Sequence, residues 1–254
     1  MINKIYNENC LDTMGRMKDN FIDLTVTSPP YDNLRTYNGY SFPFEDIAKE
    51  LYRVTKEGGV VVWVVGDATI KGSETGSSFK QALFFKECGF NLHDTMIWNK
   101  GTFTAIGSLK TRYAPVFEYM FILTKGKVKS FNPIKDRLNK WAGTKIHGTI
   151  RKKNGETKKI NTHNNKIISK FGQRFNIWEI NNVGKKGTKH PATFPEQLAN
   201  DHIISWSNEQ EIVYDCFMGS GTTAKMAILN NRKWIGSEMS SEYCEIIEQR
   251  INNG

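Results

Sequence analysis

The chain has 254 residues, of which 39% are hydrophobic and 12% aromatic, enough for one sizeable core with a smaller appendage, as in a soluble globular enzyme. Cys10, Cys88, Cys216 and Cys244 lack the close pairing of zinc sites or small disulfide frameworks, Met1 to Asn9 lacks the succession of a signal peptide, and no apolar run approaches the roughly 20 residues of a membrane helix, so a cytoplasmic protein with reduced thiols is expected. The net charge of +9 is uneven: from Lys125 to Lys189, 18 Lys or Arg face only Asp136, Glu156 and Glu179, which puts +15 there and −6 on the rest. Such a segment suits a polyanion, through phosphate neutralisation and counterion release, although a solvated insertion has a similar composition. Phe131, Trp141, Phe171, Phe175 and Trp178 are interleaved with the charges. A solvating tail needs no aromatic groups, so the segment reads as gripping nucleic acid.

In chain order, Phe21 to Val26 reads as a buried strand that runs into Ser28-Pro29-Pro30-Tyr31, where two prolines forbid further ladder pairing. Pro43 to Lys56 puts Phe44, Ile47, Leu51 and Val54 on one helical stripe, with Gly58-Gly59 as the stop. Val60 to Val65 follows as a strand buried on both faces. Ser77 to Cys88 predicts a helix with Phe79, Leu83 and Phe84 inward, stopped by Gly89, and strands are predicted near Leu92 to Trp98 and Val116 to Leu123. After the basic segment come a helix at Phe194 to Trp206, a strand at Ile212 to Tyr214, a glycine turn, and a helix through Ala224 to Leu229. A strand at Trp234 to Gly236 and a helix from Glu242 complete the chain. The alternation implies a parallel, doubly wound α/β sheet, and no internal repeat is present.

Asp215 to Thr223 joins a predicted strand to a predicted helix through Phe217, Gly219, Ser220, Gly221 and Thr222. Glycines let a ligand approach the backbone, and the helix start offers amide donors. Glu238, 23 residues after Asp215 at the end of the next strand, can accept both hydroxyls of a ribose. Gly219, Gly221 and Ala224 would also pass as a dinucleotide fingerprint. Charge separates the two readings: Asp215 under the turn repels a pyrophosphate, whereas a cofactor with an ammonium and a sulfonium is attracted. S-adenosylmethionine is therefore preferred to NAD.

The Ser28 to Tyr31 turn sits where ligands bind in an open parallel sheet, at the carboxyl end of a strand. The amino nitrogen of cytosine or adenine is a poor nucleophile, because its lone pair is delocalised into the ring. Two acceptors aimed at its N–H bonds restore the geometry in which the lone pair faces a methyl group. Ser28 offers its oxygen, the Pro29 carbonyl is open because Pro30 has no N–H, and Tyr31 can stack on a base that has left the helix. Direct in-line transfer is expected. A cytosine C5 methylase would need an exposed thiol nucleophile, which none of the four cysteines provides.

These residues resemble the beta group of amino-directed DNA methyltransferases, in which the catalytic motif precedes the cofactor motif. The match covers Asn3 to Asp12, Ser28 to Tyr31, Glu57 to Asp67, Ala114 to Gly126, Asn176 to Ile180, His190 to Ile203 and Val213 to Ile251. The resemblance implies a mostly parallel seven-stranded sheet of the Rossmann-like methyltransferase type with a small basic target-recognition insertion. It divides the chain into a catalytic half at 1–124, a recognition region at 125–189 and a cofactor-binding half at 190–254. It also implies that Asp215, Phe217, Gly219, Ser220, Gly221, Thr222 and Glu238 hold the cofactor, and that His190, Pro191, Thr193 and Phe194 enclose its methionine end. Asn9 stands where the family has an Asp near the adenine, and Cys216 where it has Pro. Ser rather than Asp at position 28 is similar to the cytosine-N4 branch, with adenine N6 as the alternative.

Phosphate contacts are expected from Arg151, Lys152, Lys153, Lys158, Lys159, Lys185 and Lys186. Duplex DNA is the expected partner, with a monomer or homodimer acting beside a cognate restriction endonuclease, and no metal or membrane. Methylation of RNA or protein, and a non-catalytic DNA-binding module, are the remoter alternatives.

Overall fold

The computed structural model describes residues 1–30, 42–102, 109–146, 148–159, 166–182 and 195–252. The chain opens with β1 (Lys4–Asn7), α1 (Cys10–Gly15), β2 (Ile22–Thr27), α2 (Phe44–Val54) and β3 (Thr55–Val65). A small hairpin, β4 (Thr69–Ile70) and β5 (Ser73–Glu74), precedes α3 (Ser77–Glu87), β6 (Asn91–Asn99) and β7 (Phe117–Thr124). Short strands β8 (Arg137–Leu138), β9 (Thr149–Arg151), β10 (Thr157–Lys159), β11 (Phe171–Gly172) and β12 (Ile177–Glu179) follow. The chain then runs through α4 (Glu196–Trp206), β13 (Ile212–Asp215), α5 (Thr222–Leu229), β14 (Lys233–Glu238) and α6 (Ser241–Asn252).

The main sheet has the order β1-β14-β13-β2-β3-β7-β6-β12, seven strands and the three-residue β12 at one edge. Its pairs are parallel except the two made by β7, so a single antiparallel strand interrupts the expected parallel arrangement. Alternate residues feed two cores, as the strand period requires. On one face Val60, Val62 and Val64 meet Leu198 and Ile203 of α4, Ala224 of α5 and Ile247 of α6. On the other, Val61, Trp63 and Val65 meet Met14 of α1, Leu51 of α2 and Phe85 of α3. The winding reverses between β2 and β13: one leads through α2 outward to β3, the other through α5 the opposite way to β14. In open α/β sheets the crevice outside the carboxyl ends at such a reversal is where ligands bind.

Two expected boundaries and faces differ from the structure. The helix ends at Val54 rather than at the glycine pair, because Thr55 turns extended and its Oγ1 donates to the Leu51 carbonyl at 2.6 Å. The strand starts there, and Gly58-Gly59 form a bulge within it: Ile22 pairs with Thr55 and Leu24 already with Val60. In α3 the inward residues are Ser78, Gln81, Ala82 and Phe85, while Phe79 is 49% and Leu83 58% exposed. Hydrogen bonds decide that face, since the buried Trp63 indole donates to Gln81 at 2.8 Å and the Ser78 hydroxyl donates to Asp67 at 2.5 Å. The strand β1 and helix α1 stand where no element was predicted.

The chain forms two compact units, Met1–Asn132 with Asn176–Gly254, and Pro133–Phe175. The second contains two antiparallel ribbons, β8 with β11 and β9 with β10, and a bridge between Lys145 and Ile167. A Cβ on Gly59 would lie 2.9 Å from the carbonyl oxygens of Asp23 and Lys56, both backbone atoms. Gly59→Ala is therefore expected to destabilise the fold by about 1–3 kcal/mol, seen as a lower urea midpoint, and an unchanged midpoint would contradict the bulge.

Candidate active site

Strands β2 and β13 are parallel neighbours, with Tyr214 opposite Thr25, so Ser28-Pro29-Pro30 and the glycine turn leave the sheet side by side. A buried carboxylate joins them. The Thr27 hydroxyl donates to Asp215 Oδ1 at 2.6 Å, the Phe217 N–H to the same oxygen at 3.0 Å, and the Thr223 hydroxyl to Oδ2 at 2.7 Å. Asp215 is 1% exposed. Burial pushes its pKa up to about 6; the hydrogen bonds from Thr27, Thr223 and Phe217 pull it down, and the charge of Glu238 adds to the rise. Its oxygens are thus turned to the protein, and the negative charge sits behind the turn rather than at its surface. Thr27 and Thr223 escaped the sequence reading, though each is a hydroxyl residue flanking a recognised corner.

The turn itself is shaped by Gly219 (φ 54°) and Gly221 (φ 82°), two left-handed positions that admit no side chain cheaply. The Gly221 N–H donates to the Met218 carbonyl at 2.9 Å, and α5 begins at Thr222 with no side chain capping it. Glu238 reaches the turn from the end of β14: its Oε2 accepts from the Gly219 N–H at 2.8 Å and its Oε1 from the Ser240 N–H at 2.9 Å. Burial pushes its pKa up. The backbone N–H groups of Ser240, Gly219 and Met239 pull it down, and of the carboxylate's four acceptor positions these three donors leave one. Asn7 faces Glu238 across β1 and β14 and donates to the Glu238 and Met239 carbonyls, while Asn9 caps α1 by accepting from the Leu11 N–H at 3.0 Å. Phe217 is half-buried, its ring 5.7 Å from Phe42 and 6.3 Å from Trp63. The carboxyl edge thus carries, in strand order, Asn9, Glu238, the Asp215 to Thr222 turn, and Ser28 to Pro30. Pro29 is buried, with Ser28 and Pro30 half-buried.

Tyr31, His190, Pro191, Thr193, Phe194, Lys185 and Lys186 lie outside the described residues. Arg151, Lys152, Lys153, Lys158 and Lys159 lie on and around the β9–β10 ribbon of the smaller unit, all exposed, with Lys152 paired to Glu156 at 2.9 Å. The interleaved aromatics divide between the units. Trp141, Phe171 and Phe175 are 63%, 43% and 64% exposed in the smaller one, each beside a cation, Lys140, Lys170 and Arg137 respectively. Phe131, 44% exposed, and Trp178 belong instead to the larger unit, and the burial of Trp178 takes that ring out of reach of a polyanion. Phe131 stacks on Trp206 at 4.8 Å, and Trp178, only 5% exposed, on His202 at 4.5 Å. Among the described residues no three His, Cys, Asp or Glu are grouped for a metal, and no helix is long and apolar enough to cross a membrane.

The DNA methylase family N6_N4_Mtase matches residues 22–249. The orphan methyltransferase M.BamHII of Bacillus amyloliquefaciens is 61% identical over 249 residues, 93% of this chain and 92% of its own. The type II methyltransferase M.BglII of Bacillus subtilis is 27% identical, over 99% of this chain and 69% of its own. Among solved structures, PvuII DNA methyltransferase (cytosine-N4-specific) aligns with a TM-score of 0.71 at 21% identity, over 97% of this chain and 85% of its own. The M1.HpyAVI–SAM complex aligns with a TM-score of 0.63 at 22% identity, over 97% and 98%. At these identities the two structures bear on the fold.

The raised Asp215 pKa has a signed consequence. The unfolded chain ionises this carboxyl first as pH rises, so the stabilisation is complete below about pH 4 and is lost as pH passes 6, by roughly 3 kcal/mol. Asp215→Asn removes the effect. Between pH 4 and 7 the unfolding free energy of the native chain should fall relative to that variant, and parallel curves would contradict the assignment.

Proposed function

The chain belongs to the N6_N4_Mtase family of DNA methylases, and we propose that it transfers a methyl group from S-adenosylmethionine to the exocyclic N4 amino group of cytosine in duplex DNA. The observation that carries this reading is the Thr27–Asp215 hydrogen bond, which sets the proline corner against the glycine corner.

The residues of the turn fit the cofactor. Gly219 and Gly221 give the turn its left-handed course, the Glu238 carboxylate stands beside it to accept from a ribose, and the buried Asp215 charge favours a cationic ligand nearby. Ser220, Thr222 and Phe217 frame the same turn, with Asn9 beyond Glu238. His190, Pro191, Thr193 and Phe194 would complete it at the methionine end. When bound, S-adenosylmethionine supplies an electrophilic methyl carbon on a sulfonium.

The other corner orients the amine. Ser28 Oγ and the Pro29 carbonyl accept from the two N–H bonds of the flipped base, Pro30 keeps that carbonyl open, and Tyr31 stacks on the ring. Serine rather than Asp at this position is similar to the cytosine-N4 branch of the family, and that resemblance supports cytosine over adenine. The region 125–189 is the target-recognition part of this reading, and 1–124 and 190–254 are the catalytic and cofactor-binding halves. In the recognition part, Arg151, Lys152, Lys153, Lys158 and Lys159 neutralise phosphates, with Lys185 and Lys186 adding to them.

Mass spectrometry of nucleosides from duplex DNA treated with the protein and S-adenosylmethionine should find N4-methylcytosine, and Ser28→Ala should lower kcat by about 10²-fold. N6-methyladenine instead would overturn the choice of base, and an unmodified duplex the activity itself. Changing Arg151, Lys152, Lys153, Lys158 and Lys159 together to Gln should reduce the slope of log affinity against log salt by about 4. An unchanged slope would remove the ribbon from the DNA interface.

A further inference from the structure

The glycine turn is held on its far side by the last helix. Ile247 and Arg250, three residues apart and so on one face of α6, both reach it. A Cβ placed on Gly221 would lie 3.1 Å from Ile247 Cγ1, so the helix packs directly on this stretch of backbone. Arg250 Nη1 donates to the Ser220 carbonyl at 3.0 Å and lies 3.1 Å from both the Ser220 and Thr222 hydroxyl oxygens. Its Nη2 donates to Glu196 Oε1, in the first turn of α4, at 2.5 Å, and Lys225 binds the same oxygen at 3.0 Å. Burial raises the Glu196 pKa, but the bonds from Arg250 and Lys225 prevail and hold it below the usual range.

A turn with Ser220 between two left-handed glycines has peptide planes free to rotate, since glycine imposes little barrier. The plane between Ser220 and Gly221 is fixed at both ends here: its N–H donates to Met218 and its carbonyl accepts from Arg250. The Gly219 N–H is fixed separately by Glu238. A guanidinium suits the task because its fork of donors serves the turn and Glu196 at once, which a lysine ammonium cannot match in geometry. Side-chain exposure of 19% keeps the group partly out of water, where such bonds are stronger.

We propose that Arg250, anchored by Glu196, is the positioning residue of the cofactor turn, acting through the Ser220 carbonyl without touching the ligand. The proposal rests on the reading of this turn as the S-adenosylmethionine site. Two readouts separate the two claims: amide hydrogen exchange over Met218 to Thr223 in the free protein, and calorimetric binding of S-adenosylhomocysteine. In Arg250→Met, which keeps an apolar stem, exchange should quicken and the cofactor product should bind about tenfold more weakly, the loss of roughly one charge-assisted hydrogen bond. The KM for S-adenosylmethionine should rise while that for DNA stays, and Arg250→Lys should fall between. Should Arg250→Met not fold, Glu196→Gln carries the same test, with the same direction expected. Unchanged exchange and affinity in the folded variant would overturn the proposal. Quickened exchange in Arg250→Met, together with a native protein that takes up no S-adenosylhomocysteine, would overturn the cofactor reading instead.

Discussion

A carboxylate removed from water between two strand ends is the constraint on which the rest of this molecule depends. Leaving Asp215 buried without partners would cost several kcal/mol, so its surroundings must supply donors in fixed places. Thr27 supplies one from β2, Thr223 another from α5, and the Phe217 backbone a third. Because the three donors come from both corners, satisfying one charge also fixes the distance between them. The opposing effects on its pKa express the same balance, with burial outweighing the hydrogen bonds.

The fold delivers this arrangement through its topology. Winding outward in both directions from the β2–β13 pair leaves their carboxyl ends unobstructed by a crossover, while two independent cores hold the pair from each face. Next to the pair, β14 brings Glu238 to the turn and β1 brings Asn9 to the same edge. The last helix completes the enclosure of the turn from behind. Residues from the first tenth of the chain to its final turn are therefore spent on one edge of one sheet.

Much of this was legible in the amino-acid order because it rests on local rules. Two consecutive prolines must end a strand, glycines separated by one residue before an apolar helical stretch mark a turn, and the acid at the end of the following strand falls beside it. The serine, the turn and Glu238 could all be found in this way. What escaped depends on partners far away in sequence. Thr27 and Asp215 are 188 positions apart, and nothing local to either marks the bond. The inward face of α3 is polar at Ser78 and Gln81 because Asp67 and Trp63 bind them, and an apolar count therefore chose Phe79 and Leu83 wrongly. Phe131 and Trp178 lie within the charged stretch yet pack on Trp206 and His202, which no reading of composition distinguishes from Trp141 or Phe175. The end of α2 turned on a threonine hydroxyl rather than on the glycines after it.

The most direct test of the adjoining corners is a crystal structure of the protein with S-adenosylhomocysteine. The ribose should lie on Glu238, and the sulfur should face Ser28 beside the Thr27–Asp215 bond. A ligand bound elsewhere, or with its sulfur turned away from Ser28, would contradict that arrangement.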